Sequence, residues 1–173
     1  VSIVSVGVET SGVSCIGIDI IAKAVEGDDS GELAACLRQA LNRSRLVITT
    51  GGLGPTADDL TREVAAEVLG LPLIEDAEVL ATIHRRFESR RMRMPDGNRR
   101  QAAVPLGARV LPNPNGTAPG LWIDVGDGVL VLLPGPPREL QPMFEAHVLP
   151  HLATRSSGRR VLRRLIRIAG RGE

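Results

Sequence analysis

An apolar run that stops in a cluster of glycines constrains this chain more than any other feature. Residues 46–50 read LVITT and are followed by GGLGPTADD, after which a helical pattern begins. An apolar strand of this kind is typical of a parallel sheet that is covered by helices on both faces, and ligands bind beyond the carboxyl ends of such strands. We therefore expect an α/β fold with a ligand site at residues 51–59, where Gly51, Gly52 and Gly54 let the backbone take positive φ and come close to a ligand.

Strand and helix patterns alternate along the first part of the chain. The sequence predicts strands in VSIVSVG, IDIIAKAV and RLVITT, with helices at residues 30–44 and 58–69, the first of them capped by Ser30. It then predicts a helix at 76–91, short strands and tight turns at 108–137, and a helix at 138–152. The alternation implies βαβ units and a mostly parallel sheet.

The composition argues against two classes of partner. A net charge of +1 gives no general attraction to nucleic acid or to an acidic membrane, and aromatic residues, at 2%, are too few for a surface that stacks single-stranded bases. No apolar run approaches the ~20 residues that span a bilayer. Cys15 and Cys36 make no disulfide framework, so we expect buried, reduced thiols and a cytoplasmic protein.

The arginine-rich segment HRRFESRRMRMPDGNRR is open to two interpretations. It is either a nucleic-acid patch or a solvated face, and the interspersed Glu88 and Asp96 favour the solvated face. Arg99 or Arg100 could in addition clamp a substrate phosphate, because a guanidinium binds phosphate oxygens in a bidentate manner.

Two adjacent carboxylates, Asp58 and Asp59, follow the glycines where an anion would otherwise bind. One interpretation is structural, since an aspartate in the first turn of a helix caps free N–H groups. Only one of two neighbouring aspartates can cap well, however, because successive helical residues point about 100° apart. The other interpretation is that a divalent cation bridges carboxylate and phosphate oxygens. Asp28, at the end of a neighbouring strand, is either a turn residue or a third carboxylate of the same site.

The segment VITTGGLGPTADDLTREVAAEVLGLPL resembles the signature of the molybdopterin-binding-like fold, and most closely that of the N-terminal domain of the CinA (competence/damage-inducible) family. The segments GNRRQAAVPLGARVLPNPNGTAPG, VLVLLPGPPRELQPMF and RRVLRRLIRIAGRGE agree with that family in order and spacing. The resemblance implies a three-layer α/β sandwich with a mostly parallel sheet, of the MoaB/MogA type. It assigns residues 1–152 to this domain and residues 153–173 to the truncated start of a following linker or small domain.

The resemblance also implies an activity, namely divalent-metal-dependent hydrolysis of a nucleoside diphosphate compound, with ADP-ribose giving AMP and ribose 5-phosphate. It implies Asp59, Asp58 and Asp28 as catalytic residues, and Asp58, Asp59 and Glu139 as ligands of Mg²⁺, Mn²⁺ or Co²⁺. The implied phosphate- and nucleotide-binding residues lie in three loops: Gly51, Gly52, Gly54, Pro55 and Thr56; Asn115, Gly116, Thr117, Ala118 and Gly120; and Gly135 and Pro136, followed by Pro137.

One segment departs from the family pattern. Relatives carry G-[TD]-E-L-L-x-G and a D-T-N helix after the first strand, whereas this chain has only GVETSGVSCIG, in which Glu9 and Gly12 match. A shortened border of the nucleotide site would suit the alternative function, a module that binds molybdopterin or a nucleotide without hydrolysing it. A third interpretation is a domain that mainly assembles a larger protein and leaves its cleft empty, with the alternating pattern of Val161–Ile168 as one contact. As partners we expect a small-molecule nucleotide substrate and further copies of the chain in a homo-oligomer (dimer or trimer).

Overall fold

The computed structural model describes residues 2–6, 19–24 and 29–155 of the chain. Eight strands and five α-helices lie within these ranges, together with a 3₁₀ helix and a π-helical turn. The strands are β1 (Ser2–Val6), β2 (Asp19–Ala24), β3 (Leu46–Thr50), β4 (Leu73–Glu75), β5 (Ala103–Pro105), β6 (Arg109–Leu111), β7 (Gly120–Val125) and β8 (Gly128–Leu133). The helices are α1 (Ser30–Arg43), α2 (Thr61–Leu69), α3 (Ala77–Ser89), the 3₁₀ helix (Asp96–Ala102), α4 (Pro137–Met143), the π turn (Phe144–Val148) and α5 (Leu149–Arg155).

Six strands form the main sheet, in the order β2-β1-β3-β8-β7-β6. The pairs β1–β2, β1–β3 and β3–β8 are parallel, and β7 and β6 complete the sheet with antiparallel pairings. The predicted mostly parallel sheet is therefore confirmed, with an antiparallel edge. Strands β4 and β5 form a separate antiparallel pair.

Two buried clusters, one on each face of the sheet, make the fold three-layered. Along β3, Val47 contributes to one cluster, whereas Leu46 and Ile48 contribute to the other, as the two-residue period of a strand requires. The first cluster is covered by α1, α2 and α3 through Leu37, Ala65 and Ile83. The second is covered by the C-terminal helices through Leu140, Met143 and Leu152. The predicted helix–sheet–helix sandwich is confirmed.

Two helix starts differ from the sequence-based prediction. The cap of α1 is Asp29, not Ser30: Asp29 has an extended backbone, and its carboxylate accepts a hydrogen bond from the N–H of Glu32 at 2.8 Å, whereas Ser30 is already helical. Helix α2 begins at Thr61 rather than at Asp58, because residues 56–59 form a turn of their own, in which the Asp59 N–H donates to the Thr56 carbonyl at 3.2 Å.

Several predictions concern residues outside the described ranges. Asp28, Cys15, the segment GVETSGVSCIG and the C-terminal strand pattern at 161–168 all lie there. Cys36 lies on α1 and is half-buried rather than buried. Among the described helices, none combines the length and apolar character that crossing a bilayer requires.

Candidate functional site

Three loops meet at the carboxyl ends of the central strands. Because β3 and β8 are neighbours with Thr50 opposite Leu133, the loops that follow them begin side by side, and the N–H of Gly51 donates to the Leu133 carbonyl at 2.9 Å. The loop that precedes β7 closes the arrangement. Together they enclose a cavity of about 340 Å³, lined by Gly51, Gly52, Leu53, Gly54, Pro55, Asp59, Gln101, Thr117, Ala118, Pro134, Gly135, Pro136 and Glu139. We call it the glycine-loop cavity.

The glycines of the first loop serve two different purposes. Gly51 and Gly52 have φ values of 92° and 65°, which are strained for any residue with a side chain. Gly54 does not adopt positive φ, so that prediction is wrong for this residue. Its lack of a side chain instead allows close approach, since a Cβ at Gly54 would lie 2.4 Å from Oδ2 of Asp59.

Asp59 holds the glycine turn together. Its Oδ2 accepts hydrogen bonds from the backbone N–H of Thr56 at 2.9 Å and from the Thr56 hydroxyl at 2.5 Å. Burial raises the pKa of Asp59, but the hydrogen bonds from Thr56 and Gly54 and the charge of Arg100 outweigh it, so the net pKa is lowered. Because α2 has no side-chain cap, the interpretation of Asp59 as a cap of that helix is wrong.

Two arginines that could have clamped a phosphate bind protein groups instead. Arg100 donates to the backbone carbonyls of Thr56 and Asp59 and, at 3.0 Å, to Oε1 of Glu63. It thus supports the glycine turn. Arg99 forms a bidentate pair with Glu75, at 2.5 and 2.9 Å, and is not among the residues that line the glycine-loop cavity.

Glu139, in the first turn of α4, is 8% exposed and lines the same cavity as Asp59. Its Oε2 accepts a hydrogen bond from Nδ2 of Asn113 at 2.8 Å. Its Oε1 lies 3.9 Å from Nε of Arg138, a pair at the surface edge. Two carboxylates, one from the glycine turn and one from the start of α4, therefore reach one cavity.

Ten of the thirteen residues that line the cavity were predicted from the sequence. The predicted residues Thr56, Asp58, Asn115, Gly116 and Gly120 do not line it. Asp58 is exposed. Gly120 is buried at the start of β7, where a Cβ would meet the Met143 side chain at 2.9 Å, so its role is packing. Gly116 stands against Glu139, as described below.

Two buried polar residues of this region and one half-buried residue escaped the sequence analysis. Gln101, 1% exposed, lines the cavity and accepts a hydrogen bond from Nδ2 of Asn98 at 3.0 Å. Arg62, also 1% exposed, has no partner for its Nε among the described residues, and burial lowers its pKa. The third, Asn113, had a recognisable signal, because an asparagine before a Pro-Asn-Gly turn is typical of side chains that bond their own backbone.

The cavity suits a metal ion only if substrate phosphates and water supply part of its ligands. Within residues 2–6, 19–24 and 29–155, no three histidine, cysteine or acidic side chains are grouped to hold a metal. The predicted set of Asp58, Asp59 and Glu139 is therefore not assembled as a cage. Mg²⁺, however, commonly takes one or two carboxylates together with substrate phosphates and water. Asp59 and Glu139 are the two carboxylates of the cavity that would hold such an ion.

Comparison with known families identifies the domain type. Residues 10–154 match the family model described as "Probable molybdopterin binding domain". A protein of Symbiobacterium thermophilum, named competence-damage inducible protein, is 58% identical over 161 residues, which cover 91% of this chain and 38% of that protein. The chain thus spans less than half the length of the curated relatives that it matches.

Solved structures agree with this result. The protein CinA from Thermoplasma acidophilum, of unknown function, superposes with a TM-score of 0.73 at 32% identity, covering 84% of this chain and 94% of that one. A molybdopterin biosynthesis protein from Mycobacterium abscessus superposes with a TM-score of 0.52 at 17% identity, covering 88% and 90%, and shows the shared fold.

Proposed function

This chain belongs to the family of probable molybdopterin binding domains and, within it, resembles the CinA proteins; from that premise we propose that its glycine-loop cavity hydrolyses a nucleoside diphosphate sugar. The substrate is ADP-ribose or a close relative, and the products are AMP and ribose 5-phosphate. One observation carries the proposal: Asp59 of the glycine turn and Glu139 of α4 line a single cavity whose wall is largely glycine and proline.

The charge of the cavity supports a requirement for a divalent cation. The lining residues include two carboxylates and, in the described part of the chain, no lysine or arginine. A diphosphate placed there alone would be repelled by Asp59 and Glu139. A divalent ion supplies the missing positive charge and, when bound, makes its water a stronger nucleophile.

The chain's own groups would bind and orient the substrate. The glycine loop can approach the phosphates closely at Gly51, where a Cβ would meet nothing within 4 Å, whereas the missing Cβ of Gly52 makes room for Thr61. Asp59, whose lowered pKa keeps it ionised at neutral pH, and Glu139 would hold the cation beside them. In the reaction, the water oxygen would bond to one phosphorus and lose a proton to the solvent. The bridging P–O bond would break, and the bridging oxygen would leave on the other phosphate.

A binding module without hydrolysis is the second candidate function. It is favoured by the hydrogen bonds that already occupy one oxygen of Asp59 and one of Glu139, which give both carboxylates a role in holding loops. In that case molybdopterin or a nucleotide would occupy the cavity unchanged.

The test is turnover of ADP-ribose by the purified chain with Mg²⁺, Mn²⁺ or Co²⁺, and with EDTA, followed by chromatography of AMP. We expect AMP only when metal is present. Asp59→Asn and Glu139→Gln should each lower kcat by at least about a hundredfold, as removal of a group that stabilises transition-state charge does. Glu67→Gln, exposed on α2, is the matched control. Turnover that is insensitive to EDTA would contradict the proposal, and tight binding of AMP without turnover would favour the second candidate.

A further inference from the structure

We infer that Asn113 is a positioning residue that fixes the carboxylate of Glu139 in the glycine-loop cavity, an inference that rests on the proposed function of that cavity. Asn113 lies in the loop between β6 and β7 and does not line the cavity itself. It acts through Glu139, to which its Nδ2 donates a hydrogen bond at 2.8 Å.

The side-chain amide of Asn113 uses its full hydrogen-bonding capacity. Its Oδ1 accepts from the N–H groups of Asn115 at 3.0 Å and Gly116 at 2.8 Å, and its Nδ2 donates to the Ala118 carbonyl as well as to Glu139. A flipped amide would place its oxygen against two acceptors and its nitrogen against two donors. The observed orientation is therefore the one that satisfies all four partners.

Close packing leaves Glu139 little room to move. A Cβ on Gly116 would lie 1.9 Å from Oε2 of Glu139 and 2.5 Å from Nδ2 of Asn113, so this carboxylate oxygen rests directly against the Gly116 backbone. The loop itself is tied at two further points. Arg86 donates to the carbonyls of Asn113 and Pro114, and Nδ2 of Asn115 donates to the Arg138 carbonyl at 2.7 Å.

The two oxygens of Glu139 therefore have different surroundings. Oε2 is held by Asn113, whereas Oε1 has only the distant pair with Arg138 among its described contacts. Asn113 thus determines which oxygen is presented for binding, and it couples the loop before β7 to the loop after β8.

The experiment compares wild type, Asn113→Asp, Glu139→Gln and the double variant N113D/E139Q, with Asn42→Asp, exposed on α1, as the charge-matched control. Asn113→Asp keeps the acceptor for Asn115 and Gly116 but replaces the donor to Glu139 with a second carboxylate. In the double variant, the amide at position 139 can donate to the carboxylate at position 113. A donor–acceptor pair is thus restored, but the carboxylate is now at position 113. The measurements are unfolding in urea, kcat and KM for ADP-ribose with Mn²⁺, and the Mn²⁺ dissociation constant in the presence of AMP.

We expect Asn113→Asp to lower kcat/KM and weaken Mn²⁺ binding by at least about tenfold, with KM little changed, because a hydrogen bond to a charged group is lost. Because Asn113 acts through Glu139, the double variant should be no more impaired in kcat/KM and Mn²⁺ binding than Glu139→Gln alone. A role of Asn113 that does not involve Glu139 predicts instead that the effects of the two single changes multiply. Either multiplication in the double variant or equal behaviour of Asn113→Asp and Asn42→Asp overturns the inference.

The design separates this inference from the proposed function. Absence of turnover in the wild type refutes hydrolysis, and the Mn²⁺ affinity with AMP then decides the role of Asn113. If Asn113→Asp does not fold, Asn113→Ala, which removes the donor to Glu139 without adding a charge, replaces it in the same comparison.

Discussion

Replacing Gly54 by alanine tests whether the glycine turn is shaped around the carboxylate of Asp59. A Cβ at Gly54 would lie 2.4 Å from Oδ2, 2.8 Å from Cγ and 2.9 Å from Oδ1 of Asp59, so the whole carboxylate would have to move by about 1 Å to regain ordinary contact. Gly54 does not have positive φ, and backbone strain therefore adds nothing to the cost.

The cost follows from the bonds that such a movement breaks. Asp59 accepts from both the N–H and the hydroxyl of Thr56, at 2.9 and 2.5 Å. Hydrogen bonds to a charged group contribute about 1.5–3 kcal/mol each, and partial exposure reduces this. We expect Gly54→Ala to lower the free energy of unfolding by about 2–3 kcal/mol, equivalent to a Tm lower by about 4–12 °C.

Gly135→Ala is the matched control for this measurement. It lines the same cavity, but its Cβ would lie no closer than 3.4 Å to Gly51, an ordinary contact. Urea unfolding should leave it within about 0.5 kcal/mol of wild type or slightly more stable. In the double variant G54A/D59A the clash disappears, so the cost should fall short of the sum of the single changes. Equal stability of Gly54→Ala and Gly135→Ala, or strict additivity with Asp59→Ala, would refute the reasoning.

Three further predictions concern the support of the site. Arg100→Met should lower the free energy of unfolding by about 2 kcal/mol in urea, since it removes donors to Thr56, Asp59 and Glu63, and Arg99→Met, whose pair with Glu75 is exposed, should have a smaller effect. Asp29→Ala should cost about 1 kcal/mol through loss of the α1 cap, while Ser30→Ala should be near neutral by the same assay. Because the pKa of Asp59 is lowered by folding, its ionisation stabilises the fold above about pH 4 and this contribution is lost as the pH falls through its folded pKa. The difference in unfolding free energy between wild type and Thr56→Val, about 1 kcal/mol, should therefore shrink below pH 4; a difference that is constant from pH 3 to pH 7 would contradict the assignment.

The glycine turn shows which features of the fold the local sequence pattern predicts correctly. An apolar five-residue run with glycines behind it predicted β3, the parallel sheet and a ligand cavity at its carboxyl end, because strand periodicity and glycine permissiveness are local properties. The start of α2 was misplaced because Asp59 satisfies the Thr56 N–H and hydroxyl, a local alternative to helix capping that the residue types alone do not distinguish.

The arginines show where local pattern fails. Nothing in the segment GNRRQ distinguishes Arg99, paired with Glu75, from Arg100, which binds the glycine turn 44 residues away. The burial of Arg62 was equally hard to predict, because a charged residue in the first turn of a helix ordinarily faces water. In the structure Arg62 is only 1% exposed. Burial of this kind depends on which elements pack together.

The sequence by itself determined the α/β architecture, the strand that leads into the glycine turn, and the three loops that supply the cavity. The tertiary structure decided which groups meet there: Asn113 with Glu139, 26 residues apart, Arg100 with Thr56, 44 residues apart, and Gln101 behind the glycine loop. The physical reason is that periodicity and turn preference act over a few residues. A hydrogen bond between distant loops, in contrast, exists only after the sheet has placed their strands side by side.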